Sequence, residues 1–158
     1  MQVQEDSSVF GDAFVDAGFN LISLATNHTM DKGEVGVINS VNYWKSKENV
    51  VFSGQWTSSE ERETAEIHEI NGIKYAFFAY TTSSNATIRK DYLVNKYSAD
   101  KVKSDIDKVK DQVDVIIVSM HWGSENTNIP TDGQRQIADY LSSLGVDLVI
   151  GHHPHVVQ

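Results

Sequence analysis

The apolar run Val146-Asp147-Leu148-Val149-Ile150 leads directly into Gly151-His152-His153-Pro154-His155. A short apolar run of this kind predicts a buried strand. Three imidazoles just past its end need a chemical reason, because histidine has no advantage as a loop former and the neutral ring is the commonest side-chain metal ligand. The plainer alternative is a polar turn stiffened by Pro154, with solvated rings. Other ligands elsewhere in the chain decide between the two.

Upstream, helical and strand patterns alternate. Ser7 or Ser8 is placed to cap a helix through about Ala17, and Gly18 suits the left-handed position after it. Phe19 to Leu24 reads as a strand that leaves into Ala25-Thr26-Asn27-His28. Asp31 is the expected cap of a helix from Gly33 to about Lys47, whose Val37, Ile38, Val41 and Trp44 repeat at helical spacing. Asn49 to Ser53 is a short strand. From Glu66 the residues alternate, and Asn71-Gly72 is a strong hairpin signal before Ile73 to Tyr80. His68 lies in this hairpin and reads as structural. The polar loop Thr81 to Asp91 is expected to form a mobile rim or lid. Ser98 caps a helix to about Gln112, Val113 to Met120 is a strand, and Thr131 caps a last helix closed by Gly145. The pattern predicts one domain of α/β (α+β layered) class, a mixed β-sheet flanked by helices.

Three loops then share a property. Asn27-His28 follows one strand, His121 another, and His152, His153 and His155 a third. In an open α/β sheet, loops after the carboxyl ends of parallel strands form the binding crevice. Five of the six histidines in the chain fall where a site would be built. No Gly-x-Ser-x-Gly elbow suits a serine hydrolase, and no closely spaced glycines suit a phosphate loop. With no cysteine present, a metal here must take nitrogen and oxygen donors, which suits Zn, Mn or Fe. A two-metal site commonly includes a bridging carboxylate, and the only carboxylates near these loops are Asp31 and Glu125.

The 13 basic and 22 acidic residues give a net charge of −9. Without a basic cluster, nucleic acid is not the expected partner. No apolar stretch is long enough to cross a bilayer. Met1 to Asp6 lacks the basic start and apolar middle of a signal peptide.

The run from Ala17-Gly18-Phe19 through Leu24-Ala25-Thr26-Asn27-His28-Thr29-Met30-Asp31-Lys32-Gly33 resembles the CapA family of bacterial poly-γ-glutamate capsule synthesis. So do Ser119-Met120-His121-Trp122-Gly123-Ser124-Glu125 and Gly145 through His155-Val156, in the same order and spacing. That family is in turn similar to the calcineurin-like metallophosphatases, which implies part of an αββα sandwich and a site for one or more divalent cations. By this resemblance Asn27, His121, His153 and His155 would ligate metal, with His152 as the alternative in the closing motif. His28 would be the catalytic residue that protonates or polarises the scissile group, and Glu125 and Asp31 are possible additional ligands.

The resemblance implies a partial domain across residues 1–158, because the family's Gly-Asp and Asn-Leu-Glu segments upstream and its Gly-Asn-Phe segment downstream are not in this sequence. It further implies capsule synthase and export membrane proteins as partners, a poly-γ-glutamate or phosphate-ester substrate, and a position on the extracellular face of the cell membrane. Two functions follow as expectations. One is a metal-dependent hydrolase or transferase. The other is a non-catalytic assembly or export component that keeps the fold.

Overall fold

A computed structural model describes residues 8–158. The segment Met1 to Asp6 and the capping position Ser7 lie outside the described residues. The elements are α1 (Ser8–Asp16), β1 (Leu21–Ser23), α2 (Gly33–Lys45), β2 (Val51–Ser53), α3 (Ser59–Glu63), β3 (His68–Ile70), β4 (Ile73–Thr81), α4 (Ala99–Asp107), β5 (Val115–His121), α5 (Asp132–Ser143) and β6 (Leu148–His152).

The strands form two sheets. In one, β1 and β2 pair in parallel. In the other the order is β3-β4-β5-β6, antiparallel between β3 and β4 and parallel across β4, β5 and β6. Asn71 and Gly72 close the β3–β4 hairpin with φ of 53° and 81°, the pair of positive values that a two-residue primed turn requires.

Side-chain alternation then stacks the layers. Ala76, Phe78 and Tyr80 of β4 and Ile116, Val118 and Met120 of β5 pack with Val102 and Ile106 of α4 and Leu141 of α5. The intervening residues Phe77 and Ala79 face the other way, onto Ala25, Leu21 and Val51 around the two-stranded sheet. Ser53 reinforces this sheet-to-sheet contact by accepting a hydrogen bond from the Ala79 N–H at 3.1 Å. On the outer side of the small sheet, Phe52 packs with Val37 and Val41 of α2 and with Leu93 and Val94. The order is helices, sheet, sheet, helix. The expected α/β class and layered sandwich are therefore what the chain forms.

Local chemistry sets several boundaries. Ser98 accepts from Lys101 N–H at the start of α4, and Thr131 and Gln134 form a reciprocal capping box on α5. Asp31 is not a helix cap. The helix begins at Gly33, so Lys32 occupies the cap position, with no side-chain hydrogen bond, and the Asp31 carboxylate lies against His28 instead. The helix expected to reach Gln112 stops at Asp107, with turns beyond, and α2 ends at Lys45. His121 and His152 end their strands rather than following them.

α3 carries Arg62, which donates to both carboxylate oxygens of buried Asp105 at 2.9 and 2.7 Å. Tyr80 donates to the same carboxylate at 2.7 Å. Burial first, and then the Asp105 charge, push the Tyr80 phenol well above its ordinary pKa. His68 stacks on Tyr75 with ring centroids 5.3 Å apart, a half-buried structural position where desolvation lowers its pKa. No helix among the described residues is long and apolar enough to cross a membrane.

Candidate metal centre

Strand parity places the first donors. On β5, Met120 points into the helix-covered core, so Ser119 and His121 point toward the small sheet. On β6, Val149 packs with that same core, so His152 shares the inward side with His121, its register partner. The carboxyl end of β1 arrives opposite them. His152 Nε2 lies 2.7 Å from Ser119 Oγ and 3.5 Å from Ser23 Oγ. Its Nδ1 faces His121 Nδ1 at 3.0 Å, and His121 Nε2 lies 2.9 Å from Asn27 Oδ1.

These contacts determine where the protons sit. An amide oxygen only accepts, so His121 carries its proton on Nε2 and presents a lone pair at Nδ1. The Ser119 hydroxyl can donate to His152 Nε2 or accept from it. In the first case His152 donates from Nδ1 to His121. In the second, two Nδ1 lone pairs converge, which is the arrangement a cation turns into attraction. Neighbouring donors on an ion with nitrogen ligands at about 2.1 Å are about 3.0–3.4 Å apart, so the 3.0 Å between the two Nδ1 atoms suits that use. Burial, followed by the surrounding imidazoles, depresses the His121 pKa to about 4. The His121 ring is therefore neutral at neutral pH, as a ligating imidazole must be, and burial pushes the His152 pKa in the same direction.

His153 and His155 sit on the turn past β6. His153 packs on His121 at 4.6 Å between ring centroids, and His155 on His153 at 6.1 Å. The turn places both at positive φ, 101° and 60°, on either side of Pro154. Such backbone for a non-glycine residue costs on the order of 1–3 kcal/mol and gathers at functional sites. Candidate ligand atoms of Glu125, His153 and His155 lie within 4.8 Å of one another. The donors therefore form an inner group of Asn27, His121 and His152 and an outer one of Glu125, His153 and His155. All are nitrogen or oxygen, a set that fits a borderline divalent cation.

His28 and Asp31 form the exposed rim. Asp31 Oδ2 lies 2.7 Å from His28 Nδ1. The carboxylate only accepts, so Nδ1 carries the proton. Asn85 Nδ2, 3.3 Å from the same nitrogen, is then a neighbour rather than a donor to it. Asn85 instead holds Asn27. Its backbone N–H donates to Asn27 O at 2.8 Å, and its Oδ1 accepts from Asn27 Nδ2 at 3.2 Å. The loop after β4 thus forms a rim pinned to the site.

The structure gathers every candidate named from sequence into one region, with Asp31 serving His28 rather than the imidazole cluster. Sequence reasoning missed Asn85, Ser119 and Ser23. Only Ser119 carried a usable signal, its two-residue spacing from His121 on one strand.

The family model described as bacterial capsule synthesis protein PGA_cap matches residues 4–158 of this chain. The PGA biosynthesis protein CapA of Bacillus subtilis (strain 168) is 28% identical over 150 residues, covering 90% of this chain and 38% of that protein. The capsule biosynthesis protein CapA of Bacillus anthracis is 28% identical over 158 residues, covering 92% and 37% respectively. The chain thus spans well under half the length of these curated relatives.

Proposed function

Since the chain belongs to the bacterial capsule synthesis protein family PGA_cap, we propose that it takes part in making a poly-γ-glutamate capsule through a metal-dependent hydrolase or transferase site. The supporting observation is the convergence of Asn27, His121 and His152 from three separate segments within hydrogen-bond distance at the carboxyl ends of parallel strands. Structural histidines have no need of one another, whereas a shared cation requires such convergence.

Asn27, His121, His153 and His155 would hold the ion together with His152, and Glu125 lies beside them. When bound, the cation supplies charge against a developing oxyanion and makes a neighbouring water a better nucleophile. The chain's own residues do the rest. Asn85 fixes the Asn27 amide, and Ser119 fixes the His152 ring. Asp31 orients His28 by accepting a hydrogen bond from its Nδ1–H, and in its imidazolium form the ring can give its Nε2 proton to a departing oxygen or nitrogen. The bond acted on belongs to a phosphate ester or to the γ-linked amide of the polymer. The protein works at the outer face of the cell membrane beside the synthase and export components.

The test is calorimetric titration of chelator-treated protein with Zn²⁺ and Mn²⁺, followed by assay of the loaded protein on p-nitrophenyl phosphate and on poly-γ-glutamate. Saturable binding lost in His121→Ala, together with turnover abolished by chelator, supports the reading. Binding without turnover on either substrate moves the protein to the non-catalytic assembly role. Absence of binding removes both metal and catalysis.

A further inference from the structure

A hollow of about 880 Å³ opens between α5 and the turn that follows β6, within the range of roughly 300–1,000 Å³ typical of ligand sites. Trp122, Gln134, Arg135, His153 and His155 are among its walls. Trp122 is only 8% exposed and lines the hollow, and its indole N–H, which is not among the side-chain atoms sealed from solvent without a partner, makes no hydrogen bond to another described residue. The ring lies over Gly151, where an added Cβ would come within 2.7 Å of Trp122 Nε1. A glycine in the strand is what lets the indole approach so closely.

Arg135 stands exposed on α5, and among the described residues no carboxylate pairs with it. In a chain of net charge −9, none of the walls is Asp or Glu. Glu125 reaches His155 at 3.9 Å but is not one of the lining residues. Arg135 and Trp122 thus both border a hollow that no Asp or Glu side chain lines.

We propose that this hollow is a subsite for a carboxylate of the substrate, held by the Arg135 guanidinium and the Trp122 indole N–H. The assignment rests on the polyglutamate reading above. A γ-linked glutamate chain leaves one free carboxylate on every unit, so a bond presented to the neighbouring histidines carries a carboxylate close by on each side. Arginine's planar fork matches such a group in a bidentate manner. The indole N–H is a donor only and adds a third, directional contact.

The indole resonance of Trp122 provides the test, with Trp44 and Trp56 as internal controls. Metal-free protein is titrated with γ-linked tetraglutamate, its methyl ester and phenyl phosphate, and the indole N–H signals are followed by two-dimensional NMR. The Trp122 signal is expected to move with tetraglutamate and not with the ester. Arg135→Ala should weaken the apparent affinity at least tenfold, and Arg135→Lys should recover part of it. An unmoved Trp122 signal, an equal response to the ester, unchanged affinity in Arg135→Ala, or a preference for phenyl phosphate would each overturn the proposal. The readout is binding without metal, so its failure leaves the metal-dependent site standing. Carboxylate binding by a protein that never turns over would sink that site's chemistry and not this subsite.

Discussion

The side-chain oxygen of Asn27 and Nε2 of His121 meet at 2.9 Å across 94 residues of chain. That contact puts the His121 proton on Nε2 and leaves its Nδ1 facing His152, whose own proton position follows from whether Ser119 donates to it or accepts from it. The site behaves as a connected set, so changes at its supporting members should reach the ligands.

Ser119→Ala removes the hydroxyl 2.7 Å from His152 Nε2 without touching a proposed ligand. Supporting hydrogen bonds on ligating imidazoles are typically worth about 10–100-fold in metal affinity. Isothermal titration with Zn²⁺ should show a loss of that size. An unchanged affinity would mean that the ring is held by packing alone.

Asn85→Ala cuts the side-chain tie to Asn27 but keeps the backbone one. Metal affinity should fall by about tenfold or more, while the melting temperature moves by only a few degrees. Restoration by Asn85→Asp, which keeps the accepting oxygen, would identify Oδ1 as the group that matters. A collapse in melting temperature would instead make Asn85 a folding residue.

Asp105→Ala leaves the Arg62 guanidinium buried without its carboxylate and takes the acceptor from Tyr80. Breaking one side of a buried pair costs about 3–5 kcal/mol. Urea unfolding should report that loss, and the double variant Arg62→Met, Asp105→Leu should regain much of it. A single-variant loss below about 1 kcal/mol would show that the pair contributes little.

Glu61 is held down to a pKa of about 2, first by Lys45 and then by the Thr57 hydroxyl. Its folded value lies below the ordinary 4.5, so the stabilisation is fully present above about pH 4.5 and is lost as the pH falls toward 2. Unfolding midpoints measured from pH 6 to pH 2 should fall more steeply in the wild type than in Glu61→Gln. Parallel curves would show that the carboxylate contributes nothing to acid sensitivity.

Much of this was legible because it is local. Asn71-Gly72 specifies its turn, Ser98 and Thr131 their helix starts, and the long apolar runs β4 and β5. The histidines could be placed at strand ends because an apolar run shows where a strand stops. What escaped depends on distance. α3 spans five residues, Ser59–Glu63, too few for a helical period to declare itself. Its partner Asp105 lies 43 residues away from Arg62. The division into two sheets follows from which strands meet, and no local pattern encodes that. Asp31 was misassigned for a physical reason: a carboxylate near a helix start can serve the helix or a neighbouring imidazole, and composition alone cannot choose. Asn85 sits in a polar loop among residues of similar chemistry, with nothing in its spacing to single it out.

Because a strand's side chains alternate, sliding β5 by a single residue against β4 would swing Met120 toward the small sheet and turn His121 away from Asn27. The apolar packing that makes the fold stable therefore also proofreads the polar cleft. A chain paired in the wrong alignment would forfeit both at once, so the folding equilibrium disfavours misassembled copies.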